Sequence, residues 1–254
     1  MNYFDPQYVA ERYAKGRPHF HHITVEKMRS NLRVETKVAR ALDVACGTGL
    51  STHPLLCIAH EVFGTDTSKG MLEHALSKDR IHYSIAPAEQ QNFEDAFFDL
   101  ITVSSGIHWF SMADFLREAN RLLKTGGHLV IYDNFFISEM EGAPDFATWF
   151  PEVYLARFPS PKRNATYDWS ENHLNTFHFK RISDEEFKNE VQFTKTELVL
   201  YFTTQSNITA AIQNGNSYEE IEAWLDTELS RWFKNEYTVQ TIYFGNWMQF
   251  LEKI

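Results

Sequence analysis

The chain has 254 residues, 43% hydrophobic and 23% charged, a balance expected of a soluble globular protein with one large domain or a core and a small lid. Its formal net charge of −10 argues against nucleic acid or an anionic membrane surface as partner, since phosphate binding relies on clustered Lys and Arg. Cys46 and Cys57, the two cysteines, make no disulfide framework and suit a reducing cytoplasm.

The opening MNYFDPQYVAERYAKGRP lacks the apolar centre of a secretory leader, and no stretch is apolar for long enough to span a bilayer, so a cytoplasmic protein is expected. Residues 7–14 and 21–32 are expected to be helical, with a loop at Gly16 and Pro18 between them. From Ala39 the texture changes. ARALDVACG reads as a buried strand ending at glycine, and STHPLLCIA as a helix. EVFGTD is a second strand. KGMLEHALSK is a helix with Met71, Leu72, Ala75 and Leu76 as its apolar positions, and IHYSIAPAE is a third strand. FFDLITVSSG is a fourth, apolar nearly throughout, as a strand covered on both faces should be. MADFLREANRLLK is an amphipathic helix with Phe115, Ala119, Leu122 and Leu123 on one side, stopped by Gly126 and Gly127. HLVIYDNFF is a fifth strand. This alternation implies a parallel sheet with crossover helices.

Residues 138–192 break the alternation. They are rich in Pro, Trp, Phe and Asn, carry short helical pieces such as SDEEFKNEV, and read as an inserted lid rather than sheet. TKTELVLYFTT returns to strand texture. SNITAAIQN and SYEEIEAWLDTELSRWFKN read as helices around an Asn214-Gly215-Asn216 turn, and TVQTIYFGNWMQFL as a closing strand.

The motifs gather where the strands end. Gly47-Thr48-Gly49 fits the first two glycines of a dinucleotide fingerprint, but Thr52 stands where the third would fall, which counts against a nicotinamide cofactor. Asp66 lies seventeen residues after Gly49, at the end of the second strand. An acid there can accept hydrogen bonds from both ribose hydroxyls or cap a helix, and the pattern leaves both open. Ala88-Glu89 follows the third strand, and Ser104-Ser105-Gly106 ends the fourth. All fall at the carboxyl ends of consecutive strands, where open α/β sheets bind ligands.

The runs LDVACGTGLS, GTDTSKGMLEHA, APAEQQNFEDAFFDLITVSSGIHWF and FLREANRLLKTGGHLVIYD together resemble the class I S-adenosylmethionine-dependent methyltransferases. Within them the chain is most similar to the small-molecule group that includes trans-aconitate methyltransferases. The resemblance is close over roughly residues 35–135, reaches the N-terminal YVAERYAKGRPHF, and is only general in the last third. It implies a doubly wound α/β fold, a mostly parallel, seven-stranded Rossmann-like sheet with helices on both faces. It also implies four regions: a helical cap at 1–34, a cofactor-binding core at 35–137, a lid or acceptor region at 138–192, and a C-terminal completion of the sheet at 193–254.

The same resemblance assigns roles residue by residue. Asp43, Ala45, Gly47 and Gly49 match the loop beneath the methionine part of the cofactor, with Ala45 where many relatives have glycine. Asp66 matches the ribose-binding acid, Thr67 and Met71 positions beside the adenine and ribose, and Ala88 and Glu89 the pair near the adenine amino group. Ser104 matches the segment facing the methionine amino group and sulfonium. The chemistry agrees: S-adenosylmethionine carries no phosphate, and GxxxxGK[ST] is absent.

On the acceptor side, methyl transfer needs mainly alignment, and a base only where the acceptor must lose a proton. His108, with Trp109, is the candidate to orient the acceptor or act as base, against a purely structural role. SSGIHWF lacks the Asn/Asp-Pro-Pro-aromatic motif of many amino-group methyltransferases acting on nucleobases or glutamine. Tyr13 and Arg17 lie four apart, and Arg17 suits a planar carboxylate, against the alternative of a surface arginine. The HFHH cluster lacks a companion Cys or acid at metal spacing, so no metal is expected. Trp149, Phe150, Trp169, Phe177 and Phe179 could wall an acceptor pocket or fill the lid's own core. The expected activity is methyl transfer from S-adenosylmethionine to a small organic acceptor such as a carboxylic acid. Alternatives are a non-catalytic adenosyl-cofactor binder or a nicotinamide-dependent oxidoreductase. No heptad or interface stripe sets an oligomeric state.

Overall fold

The computed structural model describes residues 7–162 and 167–254. Two helices, α1 (Gln7–Gly16) and α2 (His21–Asn31), precede β1 (Val38–Val44). A 3₁₀ turn (His53–Cys57), β2 (Ala59–Asp66), α3 (Lys69–Glu73), β3 (Ile81–Ile85) and β4 (Phe98–Ser104) follow. A second 3₁₀ turn (Ile107–Trp109) leads to α4 (Met112–Leu122) and the long β5 (Leu123–Met140). Then come α5 (Phe146–Trp149), a π turn (Phe150–Tyr154), α6 (Leu155–Arg157), α7 (Glu171–Thr176) and β6 (Phe179–Thr194). Helices α8 (Lys195–Thr203), α9 (Ser206–Gln213) and α10 (Tyr218–Leu229) precede β7 (Val239–Lys253).

The strands form one seven-stranded sheet in the order β3-β2-β1-β4-β5-β7-β6. β1 pairs in parallel with β2 and β4, β2 with β3, and β4 with β5. β7 runs against β5: Asn246 bonds Asn134 at 2.8 Å, and just past the end of β5 the Glu141 N–H donates to the carbonyl of Thr241, farther back on β7, at 2.9 Å. The sheet is therefore mixed but mostly parallel in β3-β2-β1-β4-β5, in line with the doubly wound α/β reading.

Contacts divide the described chain into two compact units. One holds residues 7–18, 135–162 and 188–245; the other holds 19–134, 167–187 and 246–254. The second unit contains the parallel strands. Its sheet is buried on both faces because neighbouring residues alternate between two clusters. Leu42 and Val44 of β1, Ile101 and Val103 of β4, and Leu129 and Ile131 of β5 pack with Phe115, Leu116 and Ala119 of α4. Ala41, Leu100, Val130 and Tyr132, one residue out of phase, pack with Val25 and Met28 of α2 and Leu55 of the first 3₁₀ turn. The near-continuous apolar texture of FDLITV follows from this double burial.

The first unit has its own core, built largely from aromatic rings. Phe146, Trp149, Tyr154 and Phe158 pack with Leu198 and Phe202 of α8, Leu225 and Leu229 of α10, and Phe244 of β7. Trp149 and Phe150 thus belong to this core and its edge, while Phe179 is fully buried in the second unit with Trp169 and Phe177 against it.

Five expected elements are corrected. STHPLLCIA forms only a 3₁₀ turn: Pro54 lacks an N–H, the bonds Leu55–Thr52 and Ile58–Leu55 are of the tight three-residue kind, and Ala59 already belongs to β2. KGMLEHALSK stops being helical at Glu73, because the Leu76 N–H leaves the ladder for the Thr48 carbonyl at 3.1 Å. α4 ends at Leu122, before the glycines, since Leu123 is already extended at φ −75°, ψ 142°. SDEEFKNEV is not a helix but part of β6, so the 138–192 block is not free of sheet; its exposure alternates residue by residue, the period of a strand. TKTELVLYFTT is not a strand but α8. Thr194 and Glu197 form a reciprocal capping box that starts it, and Leu198, Val199, Tyr201 and Phe202 bury most of its circumference.

The expected cap at 1–34 is divided: residues up to 18 go with the first unit and His19 onward with the second, while residues 1–6 lie outside those described. Among the described residues, no helix is long and apolar enough to cross a membrane, and no group of three or more His, Cys, Asp or Glu is placed to hold a metal.

Candidate functional site

The loop after β1 is built on backbone that side chains resist. Ala45, Gly47 and Gly49 have φ of +57°, +54° and +75°. Glycine accepts this conformation without penalty, whereas Ala45 is strained there by about 1–2 kcal/mol. The two glycines face different surroundings. A Cβ on Gly47 would meet nothing within 4 Å, whereas one on Gly49 would lie 2.2 Å from the Tyr83 hydroxyl oxygen. Gly47 therefore borders open space and Gly49 is a packing glycine.

Asp43 anchors this loop from below. Its side chain is fully buried and accepts hydrogen bonds from Ser51 at 2.6 Å, Thr52 at 2.7 Å and Thr102 at 2.9 Å. Burial raises its carboxyl from 3.8 to about 6, the three hydroxyls pull it back, and the charge of Asp66 adds to the rise. The carboxylate holds the chain on both sides of the glycines rather than facing open space. The hydroxyls were not singled out in the sequence; Ser51-Thr52 directly after a glycine turn and Thr102 inside an apolar strand were the available signals.

Asp66 ties two loops together. One carboxylate oxygen accepts the Gly47 N–H at 2.9 Å, the other the Ser68 N–H at 2.8 Å. Each oxygen can accept a second hydrogen bond, which is the capacity a ribose diol would use. Ser68 then caps α3 by accepting from the Met71 N–H at 3.2 Å; Met71 is buried, and Thr67, between Asp66 and Ser68, is exposed. Ala88 is buried, and Glu89 accepts the Ser111 N–H at 2.7 Å, so Glu89 steadies the start of α4.

Ser104 closes β4. The next residue, Ser105, has φ +52° and donates to Asp133 at 2.5 Å, joining the ends of β4 and β5. Tyr132 lies fully buried beside them, with its hydroxyl 3.1 Å from His21 Nδ1; burial holds the phenol well above its usual range. His21, Tyr132, Ser105 and Asp133 were not among the expected site residues. His108 and Trp109 sit on the second 3₁₀ turn with ring centroids 4.8 Å apart; His108 is half-buried and Trp109 is 41% exposed.

The second unit thus brings together the 45–49 loop, Asp66, Ser104 and His108 at the carboxyl ends of parallel neighbours. Tyr13 and Arg17 belong to the first unit. There the Arg17 guanidinium lies over the Tyr13 and Tyr201 rings at 4.6 and 5.3 Å and donates to the Thr204 carbonyl at 3.4 Å.

A crossed β-α sheet with a glycine turn after its first strand and an acid after its second is a Rossmann-like fold. Residues 42–131 match the family described as a methyltransferase domain, in keeping with the class I resemblance of the strand-end motifs. A Dictyostelium discoideum protein bearing a methyltransferase name is 35% identical over 92 residues, covering 36% of this chain and 35% of that protein. A Bacteroides fragilis demethylmenaquinone methyltransferase is 38% identical over 104 residues, covering 36% of this chain and 42% of the relative. The alignments thus span less than half of these relatives. The solved structure of a type II methyltransferase from Anaeromyxobacter dehalogenans has the same fold at TM-score 0.69 and 20% identity, covering 89% of this chain and 94% of the other.

The methyl donor of this domain class is S-adenosylmethionine. The residues present fit it: Gly47 leaves open the face a ligand would fill, Asp66 has acceptor capacity for a ribose, and the loop carries no phosphate-binding lysine.

Proposed function

We propose that the protein transfers a methyl group from S-adenosylmethionine to a small organic acceptor, a carboxylic acid being the acceptor class favoured. When bound, the cofactor supplies an activated methyl on a sulfonium leaving group. The chain's own work is to bind, orient and exclude water. The open face at Gly47 beside the doubly held Asp66 carries this reading, because it pairs a close backbone approach with a ribose acceptor. Ala45, Gly49, Thr67, Met71, Ala88, Glu89 and Ser104 complete the proposed cofactor surface, with Asp43 holding it in shape. His108 is the proposed acceptor-orienting group or base, with Trp109 beside it. Tyr13 and Arg17 are the proposed acceptor-binding pair, Arg17 matching a carboxylate by its planar fork. The demethylmenaquinone methyltransferase name supports a small-molecule acceptor in general terms.

Calorimetric titration with S-adenosylmethionine, S-adenosylhomocysteine and NAD tests the cofactor, and a methyl-release assay across a panel of small acids tests the reaction. Binding of both adenosyl compounds, with turnover on at least one acid, is expected. Binding without turnover on any small molecule would leave a non-catalytic cofactor binder. Binding of NAD alone would remove the reading altogether.

A further inference from the structure

Among the described residues of the first unit, the Arg12 guanidinium forms no ion pair. Arg12, half-buried on α1, lies over the rings of Tyr8 and Tyr218, its Cζ 5.1 Å from each centroid. Its Nε donates to the Tyr8 carbonyl at 3.3 Å. Nη1 and Nη2 are closed off from solvent and have no hydrogen-bond partner among the described residues. The rings attract the cation through their π faces, but its N–H bonds lie in its own plane and the rings leave them unmet. A buried charge with four unmet donors is costly unless something completes it. Burial also lowers the tendency of this side chain to stay protonated.

The surplus of donors extends along the same corner. The Arg17 N–H still bonds the Tyr13 carbonyl at 3.2 Å, so the helical path reaches Arg17, about 7.5 Å along the axis from Arg12. Arg17 Nε is buried and unpaired, as are Gln205 Nε2 and Thr209 Oγ1. A Cβ on Gly16 would lie 2.7 Å from both the Leu200 carbonyl oxygen and the Thr204 methyl, so the end of α1 is pressed onto the corner between α8 and α9. Tyr218 donates to the Glu222 carboxylate at 2.9 Å and lies near the Thr203 side chain.

We infer that Arg12 and Arg17, with Gln205 as a neutral donor, form a binding site for the carboxylate of a small organic molecule at the α8–α9 corner. The ligand's chemistry follows from shape. The guanidinium edge presents parallel N–H donors in one plane, which a flat carboxylate meets as a bidentate partner where a phosphate is tetrahedral. Tyr8, 45% exposed, is the wall whose rotation admits it. The inference deepens the acceptor reading above and rests on it for the ligand's class.

Calorimetry on the full chain with phenylacetate, the neutral isostere phenylacetamide and inorganic phosphate reads the site without turnover. Phenylacetate should bind at least tenfold tighter than either, and Arg12→Gln should weaken it at least tenfold. Equal binding of acid and amide, tighter binding of phosphate, or an Arg12→Gln chain that binds the acid like the parent would overturn the site. Arg12→Met should lose acid binding while keeping or raising Tm, because it removes an unpaired buried charge. A lowered Tm with intact acid binding would mark a structural arginine and sink the proposal. Should Arg12→Gln not fold, Arg12→Lys keeps the charge without the fork and should still weaken the acid severalfold; unchanged affinity overturns the site. S-adenosylhomocysteine and methylthioadenosine differ in the tail that bears a carboxylate. In Arg12→Gln, weaker binding of the first alone assigns the site to the donor's carboxylate; loss confined to phenylacetate assigns it to the acceptor's. Turnover is scored separately: no methyl transfer with Arg12-dependent acid binding fails only the acceptor reading, and turnover indifferent to Arg12 together with Arg12-independent acid binding fails only this one.

Discussion

Gly47 and Gly49 share left-handed backbone, at φ +54° and +75°, yet substitution should fail differently at each. Gly47→Ala meets no atom within 4 Å, so it should cost only the conformational strain of about 1–2 kcal/mol while placing a methyl on the open face. Cofactor affinity should fall tenfold or more with a small loss in Tm. Gly49→Ala drives a methyl to 2.2 Å from the Tyr83 hydroxyl and should lower Tm sharply. Paired melting curves and titrations separate the two; equal Tm losses would contradict the assignment of Gly47 to the ligand side. Asp43 supplies a pH signature. With its carboxyl raised from 3.8 to about 6, the folded chain keeps a proton between those values that the unfolded chain has released. Stability from this residue is therefore present at low pH and declines as pH rises through the window, by up to about 3 kcal/mol. Asp43→Asn should remove that slope while keeping its partners, since Thr102 can turn its hydroxyl to the Leu42 carbonyl at 3.5 Å and accept from the amide. Urea unfolding at pH 5 and 7.5 should show the variant gaining on the parent at the higher pH. Parallel changes would refute the assignment.

Among the elements, α8 carries the clearest local instruction. Its capping box satisfies two orphan donors at once, so Thr194→Ala should cost about 1 kcal/mol, read as a lower urea midpoint with unchanged slope. No change in midpoint would show that burial of Leu198 and Phe202 alone fixes the helix. The same helix shows where sequence reading runs out. TELVLYF is a short apolar run, and periodicity cannot tell a buried strand from a buried helix there. FDLITV is just as apolar, but it lies between turn signals in an alternating region, and its strand was legible. β6 fails for the opposite reason: SDEEFKNEV is polar on both sides, and only its alternating exposure shows the strand. The site divides in the same way. Glycines and an acid at strand ends are written in order along the chain. The hydroxyls on Asp43 and the empty edge of Arg12 come from residues far apart in sequence, and only folding brings their surroundings into view.

At the scale of the whole chain, the match over residues 42–131 is not a structural module. The cores of the second unit also need the segment 246–254, which buries Met248, Phe250 and Leu251 almost completely. Lys253 fastens it to the carbonyls of Asn120 and Leu123 at 2.6 and 2.8 Å. Burial of such side chains contributes about 1.5–3 kcal/mol each, together comparable to the net stability of a domain. A chain ending at Gly245 should lack cooperative unfolding by circular dichroism and should not bind S-adenosylhomocysteine, although every expected cofactor residue remains. A sharp transition in that truncation would overturn this account.

The division of the chain also has a consequence for its biosynthesis. Every expected cofactor residue has been translated once Ser104 is made, yet the strand that fills their core arrives only with residues 246–254. Between Asn134 and Asn246 the ribosome must first make most of the other unit, which takes roughly 6–22 s at ordinary elongation rates. Through that interval the apolar faces of Leu100, Val130 and Tyr132 wait on a nascent chain for the side chains of Met248 and Phe250. The cofactor loop is thus synthesised well before the strand that supports it.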